Sequence, residues 1–145
     1  MSDNAANIQA MYQELILDHY RRPRNKGELE GEHKTIAMKN PLCGDEVYLH
    51  LSLEDERVTG ISFTGRGCSI SQAAASMITQ AVKGKTSAEA ETLGERYREM
   101  IMGDADAAAD KSLGQLRALA GVSKFPARVR CALLAWDALK QGMRE

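Results

Sequence analysis

The chain has 145 residues, 27% of them charged and 43% apolar, with 19 basic side chains against 20 acidic ones. That length predicts one domain over residues 1–145, able to bury roughly 70% of the surface exposed by the unfolded chain. The near-neutral balance excludes steering by net charge toward nucleic acid or an anionic membrane. An odd count of three cysteines argues against a disulfide framework and leaves metal binding, reactivity or plain burial. The first ten residues lack the basic start and apolar core of a secretory signal. The longest uncharged stretch, residues 67–82, is too short for a bilayer and contains Ser69, Ser71, Gln72, Ser76 and Gln80. A cytoplasmic protein without a membrane span is expected.

Ile8, Met11, Tyr12, Leu15 and Ile16 fall on one stripe of a helix. It is expected to end near Arg22, because Pro23 disfavours helical geometry in the residue before it. After a loop over residues 24–31, residues 35–38 are a short strand candidate. Val47, Leu49, Leu51 and Leu53 then alternate with Tyr48, His50 and Ser52, the two-residue period of a half-buried strand. A polar turn follows at Glu54, Asp55, Glu56 and Arg57. Residues 58–64 place Ile61 and Phe63 on one face, completing an antiparallel hairpin.

Beyond Cys68 the spacing becomes helical, with Ile70, Ala73, Ala74, Met77, Ile78, Ala81 and Val82 leading to a stop at Gly84. Cys68 is thereby placed at a strand-to-helix junction. Thr86 and Glu89 form a capping box for a helix that carries Leu93, Tyr97, Met100 and Ile101 and ends near Gly103. Residues 104–111, rich in Asp and Ala, read as a loop, and Leu113, Leu116 and Leu119 as a short helix before Gly121. Pro126 suits a first helical position. Val129, Leu133, Trp136 and Leu139 mark the buried side of that last helix, with Cys131 in its second turn. Strands first and helices after, with no repeat, predict an α+β fold with helices packed on one face of a small antiparallel sheet.

The cysteines stand in the segments Asn40-Pro41-Leu42-Cys43-Gly44-Asp45, Gly65-Arg66-Gly67-Cys68-Ser69 and Phe125-Pro126-Ala127-Arg128-Val129-Arg130-Cys131. These are turns or helix starts, where backbone N–H groups favour thiolate. With Asp45 added, Cys43, Cys68 and Cys131 make a four-donor set of the kind Zn²⁺ accepts. Paired C-x-x-C knuckles are missing, so spacing leaves open both a metal site and three separately buried cysteines. Gly44 permits a tight turn between Cys43 and Asp45. Gly65 and Gly67 permit backbone that other residues resist, although Gly67 equally serves a plain strand end.

Three thiolates and a carboxylate around Zn²⁺ leave a net charge of about minus two, which calls for nearby cations. Arg66, Arg128 and Arg130 are close in sequence, and a solvated arginine face accounts for them as well. His50 is expected to point away from the apolar face of its strand, His33 lies in a charged loop, and His19 sits near a helix end, where it can bond carbonyls. None is a preferred ligand. Arg21, Arg22, Arg24 and Lys26 lack interleaved aromatics and read as a solvated or partner-facing patch, not a nucleic-acid surface.

Four ordered segments, Asp18-His19-Tyr20-Arg21-Arg22-Pro23-Arg24-Asn25, Asn40-Pro41-Leu42-Cys43-Gly44-Asp45, Gly67-Cys68-Ser69-Ile70-Ser71 and Lys124-Phe125-Pro126-Ala127-Arg128-Val129-Arg130-Cys131 with Ala135-Trp136 beyond, together resemble the U-type iron-sulfur assembly proteins over nearly the whole chain. The closer likeness is to their SufU branch. IscU-branch members carry a histidine immediately before the third cysteine, where this chain has Arg130, and the interval from Cys68 to Cys131 is longer than theirs. The resemblance implies a three-stranded sheet with packed helices, and Zn²⁺ held by Cys43, Asp45, Cys68 and Cys131. It also implies a sulfurtransferase whose Cys43 accepts persulfide sulfur from a SufS-type cysteine desulfurase, for downstream iron-sulfur assembly proteins. In the family picture a desulfurase histidine replaces this cysteine on zinc and frees its thiolate. The alternative is a scaffold on which an iron-sulfur cluster is assembled and transferred, with the same thiolates on iron and Asp45 as a labile ligand.

Overall fold

The computed structural model describes residues 2–42 and 44–144, the side chains of residues 2–9 excepted. Helix α1 (Ser2–Arg21) ends just before Pro23, as the proline requires. Its inward stripe is Tyr12, Leu15, Ile16 and His19, spaced as one helical face. The stripe expected from sequence includes Ile8, which lies outside the described side chains, and Met11, which is 60% exposed. His19 occupies the inward position instead. His19 does lie in the last turn of α1, as expected, but it is fully buried and its ring bonds side chains instead of the helix-end backbone carbonyls.

A histidine is tolerated in that interior because both ring nitrogens are satisfied. Nε2 donates to Oε1 of Gln115 at 3.1 Å, and Nδ1 accepts from Oγ of Ser76 at 2.7 Å. The Ser76 hydroxyl in turn accepts the backbone N–H of Arg24 at 2.8 Å, so one polar cluster pins both α1 and the chain beyond it. Burial holds the His19 pKa below the usual histidine value. Gln115 and Asp18 oppose that shift and Arg24 reinforces it.

Strands β1 (Lys34–Asn40), β2 (Asp45–Glu54) and β3 (Arg57–Arg66) form an antiparallel sheet in the order β1-β2-β3. The register sets Ile36 opposite Leu49, Leu49 opposite Phe63 and Leu51 opposite Ile61. These residues and Val47 therefore share one face, and all are buried. Asp55 and Glu56, with φ of 51° and 61°, make the two-residue turn between β2 and β3. On the opposite face His50 stands between Thr35 and Ser62. It does point away from the apolar face, yet it is only 4% exposed. The loop after α1 hydrogen-bonds to Phe63 through Asn25 and Gly27 and brings Glu28 and His33 beside the His50 ring.

Helices α2 (Ser69–Val82) and α5 (Pro126–Arg144) cover the apolar face. Helix α2 also packs against α1 and α5, which is why it buries Ser71, Gln72, Ser76 and Thr79 along with Ala73, Ala74, Ala75, Met77 and Ile78. Helix α3 (Ser87–Ile101) opens on the expected capping box: Thr86 Oγ1 accepts from Glu89 N at 3.1 Å, and Glu89 Oε1 accepts from Thr86 N at 2.9 Å. A three-stranded antiparallel sheet with helices against it is an α+β fold, as the sequence predicts. Among the described residues no helix is long and apolar enough to cross a membrane.

The segment expected to be a loop is more ordered than its composition suggests. Asp104 caps a single turn, α4 (Ala105–Ala108), by accepting the N–H of Ala107 at 3.1 Å. Asp110 then accepts from Ser112 N at 2.9 Å and opens a 3-10 segment, Lys111–Lys124, broken at Gly114. Leu113, Leu116, Leu119 and Val122 are all buried and recur every third residue, which is the period of a 3-10 helix and not of an α-helix.

Helices α3 and α5 meet where Gly94 leaves room for the buried Trp136 ring, and a Cβ at residue 94 would overlap that ring. Gly94→Ala is therefore expected to destabilise the fold by about 1–3 kcal/mol through overpacking, although alanine is the better helix former by about 1 kcal/mol. The urea midpoint falls if the overlap decides and rises if propensity does. A second expectation concerns pH. His19 and His50 both have pKa values lowered first by burial, so the unfolded chain binds more protons than the folded one below the unfolded histidine pKa of about 6.5. Stability is complete above that value and declines as pH falls through it toward the lower folded pKa. In urea titrations of chelator-treated protein, His19→Gln loses part of this decline; an unaltered pH slope would rule out a titrating contribution from His19.

Candidate metal centre

The first residue of β2 lies on the inner face of the sheet, two positions before Val47, at the end where the apolar rows stop. It is Asp45, fully buried. Its Oδ1 accepts the backbone N–H of Cys68 at 2.8 Å, and its Oδ2 lies 3.9 Å from the Cys68 sulfur. Cys68 is the N-cap of α2 with extended backbone, and its thiol makes no capping bond. The carboxylate thus meets a helix N-terminus, where exposed N–H groups and the helix dipole favour negative charge. Gly67 makes this approach possible. Its φ is +154°, and a Cβ there would overlap Asp45 Oδ1 and come within 2.7 Å of Ser71 Oγ. Ser71 fixes the same corner by donating its hydroxyl to the carbonyl of Cys68 at 3.1 Å.

Cys131, in the second turn of α5, completes the cluster. It is fully buried, and its sulfur lies 3.9 Å from the carbonyl of Ala127 and 3.9 Å from Nδ2 of Asn40. One donor atom from each of Asp45, Cys68 and Cys131 falls within 4.8 Å of the others. Three of the four residues singled out in the sequence are thereby brought together from β2, the start of α2 and α5. The fourth, Cys43, lies outside the described residues. On either side of it, Asn40 Oδ1 accepts from Leu42 N at 3.3 Å, and Asn40 O accepts from Gly44 N at 2.9 Å. Gly44 has φ of +71°, a left-handed turn that glycine takes without strain.

Burial pushes the Cys131 thiol well above the usual thiol range, and Asp45 and Cys68 push it further in the same direction. Two thiols and a carboxyl at this spacing cannot all ionise without a counter-charge. A divalent cation would supply one, and two sulfurs with one carboxylate oxygen match the ligand preferences of zinc. The arginines expected to offset the charge are arranged differently. Arg66 meets Glu46 at 3.4 Å on the opposite face of the sheet. Arg130 is exposed, and its charge acts on Asp137. Arg128 is exposed at the rim of an apolar groove of about 570 Å³ with Ile16, Ile70, Val122 and Phe125.

Three contributors to the site carry no chemistry of their own and were not identified as such from sequence: Asn40, Ser71, and Gly67 in its role as a cradle for the carboxylate. Asn40 and Asp45 pair across β1 and β2, so the signal for Asn40 is a polar residue closing the apolar face of a strand.

The family described as NifU-like N terminal domain matches residues 11–132 of the chain. The chain is 46% identical over 144 residues to the zinc-dependent sulfurtransferase SufU of Bacillus subtilis, covering 99% of this chain and 95% of that protein. It is 39% identical over 139 residues to the iron-sulfur cluster assembly scaffold protein IscU of Streptococcus pyogenes, covering 96% and 86%. The crystal structure described as a putative iron-sulfur cluster assembly scaffold protein for the SUF system, from Fervidobacterium islandicum, superposes with a TM-score of 0.82 at 32% identity, covering 90% of this chain and 94% of that one. With a family match across most of its length and the same fold in a solved relative, the chain belongs to the NifU-like N-terminal domain family.

Proposed function

We propose that this protein is a zinc-dependent sulfurtransferase that accepts persulfide sulfur from a SufS-type cysteine desulfurase and delivers it to downstream iron-sulfur assembly proteins. The observation that carries the reading is the convergence of Asp45, Cys68 and Cys131 within 4.8 Å at the buried end of the sheet. Likeness to a relative named as a zinc-dependent sulfurtransferase supports it, as does arginine at residue 130 immediately before the third cysteine.

In this reading Asp45, Cys68 and Cys131 hold Zn²⁺ together with Cys43. When bound, the metal keeps its sulfur ligands deprotonated at neutral pH while damping their nucleophilicity. The chain's own residues do the rest. Gly67 and the Cys68 N–H keep the Asp45 carboxylate fixed, and burial shields Cys131 from attack and oxidation. Leu42, 86% exposed beside Cys43 in sequence, offers a docking partner apolar contact at the reactive loop. The Cys43 thiolate attacks the terminal sulfur of the partner's persulfide. The S–S bond of that persulfide breaks, its electron pair leaves with the partner's cysteine thiolate, and Cys43 carries the new persulfide. No outside oxidant or reductant is consumed.

A second reading, a scaffold for cluster assembly, is favoured by the names of the Streptococcus pyogenes and Fervidobacterium islandicum relatives. Elemental analysis and anaerobic reconstitution separate the two. Stoichiometric zinc, with no cluster retained or passed on, is the expected result; a stable, transferable cluster would favour the scaffold. Desulfurase turnover is expected to rise when the protein is added and to fall back to that of desulfurase alone with Cys43→Ala. Undiminished stimulation by that variant would remove Cys43 as the acceptor.

A further inference from the structure

Asn40 ends β1 opposite Asp45 and is 3% exposed. A buried carboxamide needs partners for both its oxygen and its nitrogen. The oxygen accepts the N–H of Leu42, and the backbone carbonyl of the same residue accepts that of Gly44. One residue therefore closes the connection 41–44, in which Cys43 stands. The nitrogen has a different partner, since Nδ2 donates to the Cys131 sulfur across 3.9 Å, a long contact between two buried groups.

Resting on the metal-centre reading given above, we infer that Asn40 is a positioning residue of that centre, coupling the Cys131 sulfur to the loop that carries Cys43. The two halves of its carboxamide do separate things. The N–H dipole faces a sulfur whose surroundings are otherwise acidic, namely Asp45 and Cys68, and stabilises electron density on it. The oxygen holds the backbone of the neighbouring connection. Groups that hydrogen-bond to metal ligands set the donor strength of those ligands, and their loss typically costs about 10–100-fold in metal affinity.

Asn40→Asp separates the halves. It retains an oxygen for Leu42 N–H and leaves the backbone carbonyl in place, but replaces the donor facing Cys131 with a carboxylate oxygen. The probe is Co²⁺ added to the full chain, read by its thiolate-to-cobalt charge-transfer band and by competition with a chelator. Asn40→Asp is expected to bind Co²⁺ about 10–100-fold more weakly than wild type. Its band should move to longer wavelength, because a sulfur without an N–H donor releases electron density more readily. Asn40→Ala, the second variant if the first does not fold, should shift the band in the same direction. A residue that merely braces the loop would leave the Asn40→Asp band in place. A band and affinity indistinguishable from wild type in Asn40→Asp, or in Asn40→Ala if only that variant folds, overturn the role of Asn40 while leaving the metal centre standing. Wild-type protein that takes up no Co²⁺ overturns both.

Discussion

A carboxylate buried without a partner would cost several kcal/mol, and Asp45 offsets part of that cost first through its bond from the N–H of Cys68 at 2.8 Å, with the Cys68 sulfur 3.9 Å from its other oxygen. The rest of the centre is organised around it. The bond ties the first residue of β2 to the first turn of α2, so sheet and helix cannot separate without exposing an unpaired acid or stranding it. It also dictates the backbone between β3 and α2. With a side chain at residue 67, the carboxylate and the Ser71 hydroxyl would both be displaced. The glycine is demanded by the acid as well as by the turn.

The core explains why the donors gather at this end. Along the inner face the sheet is apolar from Leu51 through Leu49 and Val47 and becomes polar at Asp45, with Asn40 across from it. Helices α2 and α5 lie on that face because it is apolar, and their early turns, carrying Cys68 and Cys131, come to rest over its polar end. The energy that sets the spacing of these donors is thus mostly ordinary burial of Val, Leu, Ile and Phe. The polar atoms choose orientation within a frame that the apolar ones have placed.

How much of this was legible beforehand follows from the range of each signal. Alternation at residues 47–53, the capping box of Thr86 and Glu89, and the Pro126 helix start are local, and each reads directly from neighbouring residues. Cys68, Asp45 and Cys131 were legible as donors by residue type, and the structure places them together. The period of three in Leu113, Leu116 and Leu119 was visible too, but short helical patterns are ordinarily assigned to α-helix, and a 3-10 run of this length is uncommon. The burial of His19 and the bonds of Asn40 were not legible. Each depends on partners far away in sequence, Ser76 and Gln115 for the first and Cys131 for the second. The arginines show the converse: closeness in sequence to a candidate donor put Arg66 near Cys68, but strand alternation turned it to the other face, toward Glu46.

The fold also bears on which sulfur can react. For the sulfurtransferase proposed above, an acceptor must be reached by the terminal sulfur of a persulfide on another protein, and Cys131 has no exposed surface with which to meet it. Cys68 is half-buried at a helix start whose backbone is engaged by Asp45 and Ser71. The connection from β1 to β2 differs in kind. It is four residues long, it turns at Gly44 through a left-handed conformation, and it carries Leu42 into solvent. Its ties to the rest of the chain include the two oxygens of Asn40. Movement of Cys68 or Cys131, by contrast, would have to carry a helix with it. In the function proposed above, the two helix-borne sulfurs and the buried acid are the donors assigned to stay, and Cys43, which the sequence places in the β1–β2 connection, is the sulfur assigned to leave.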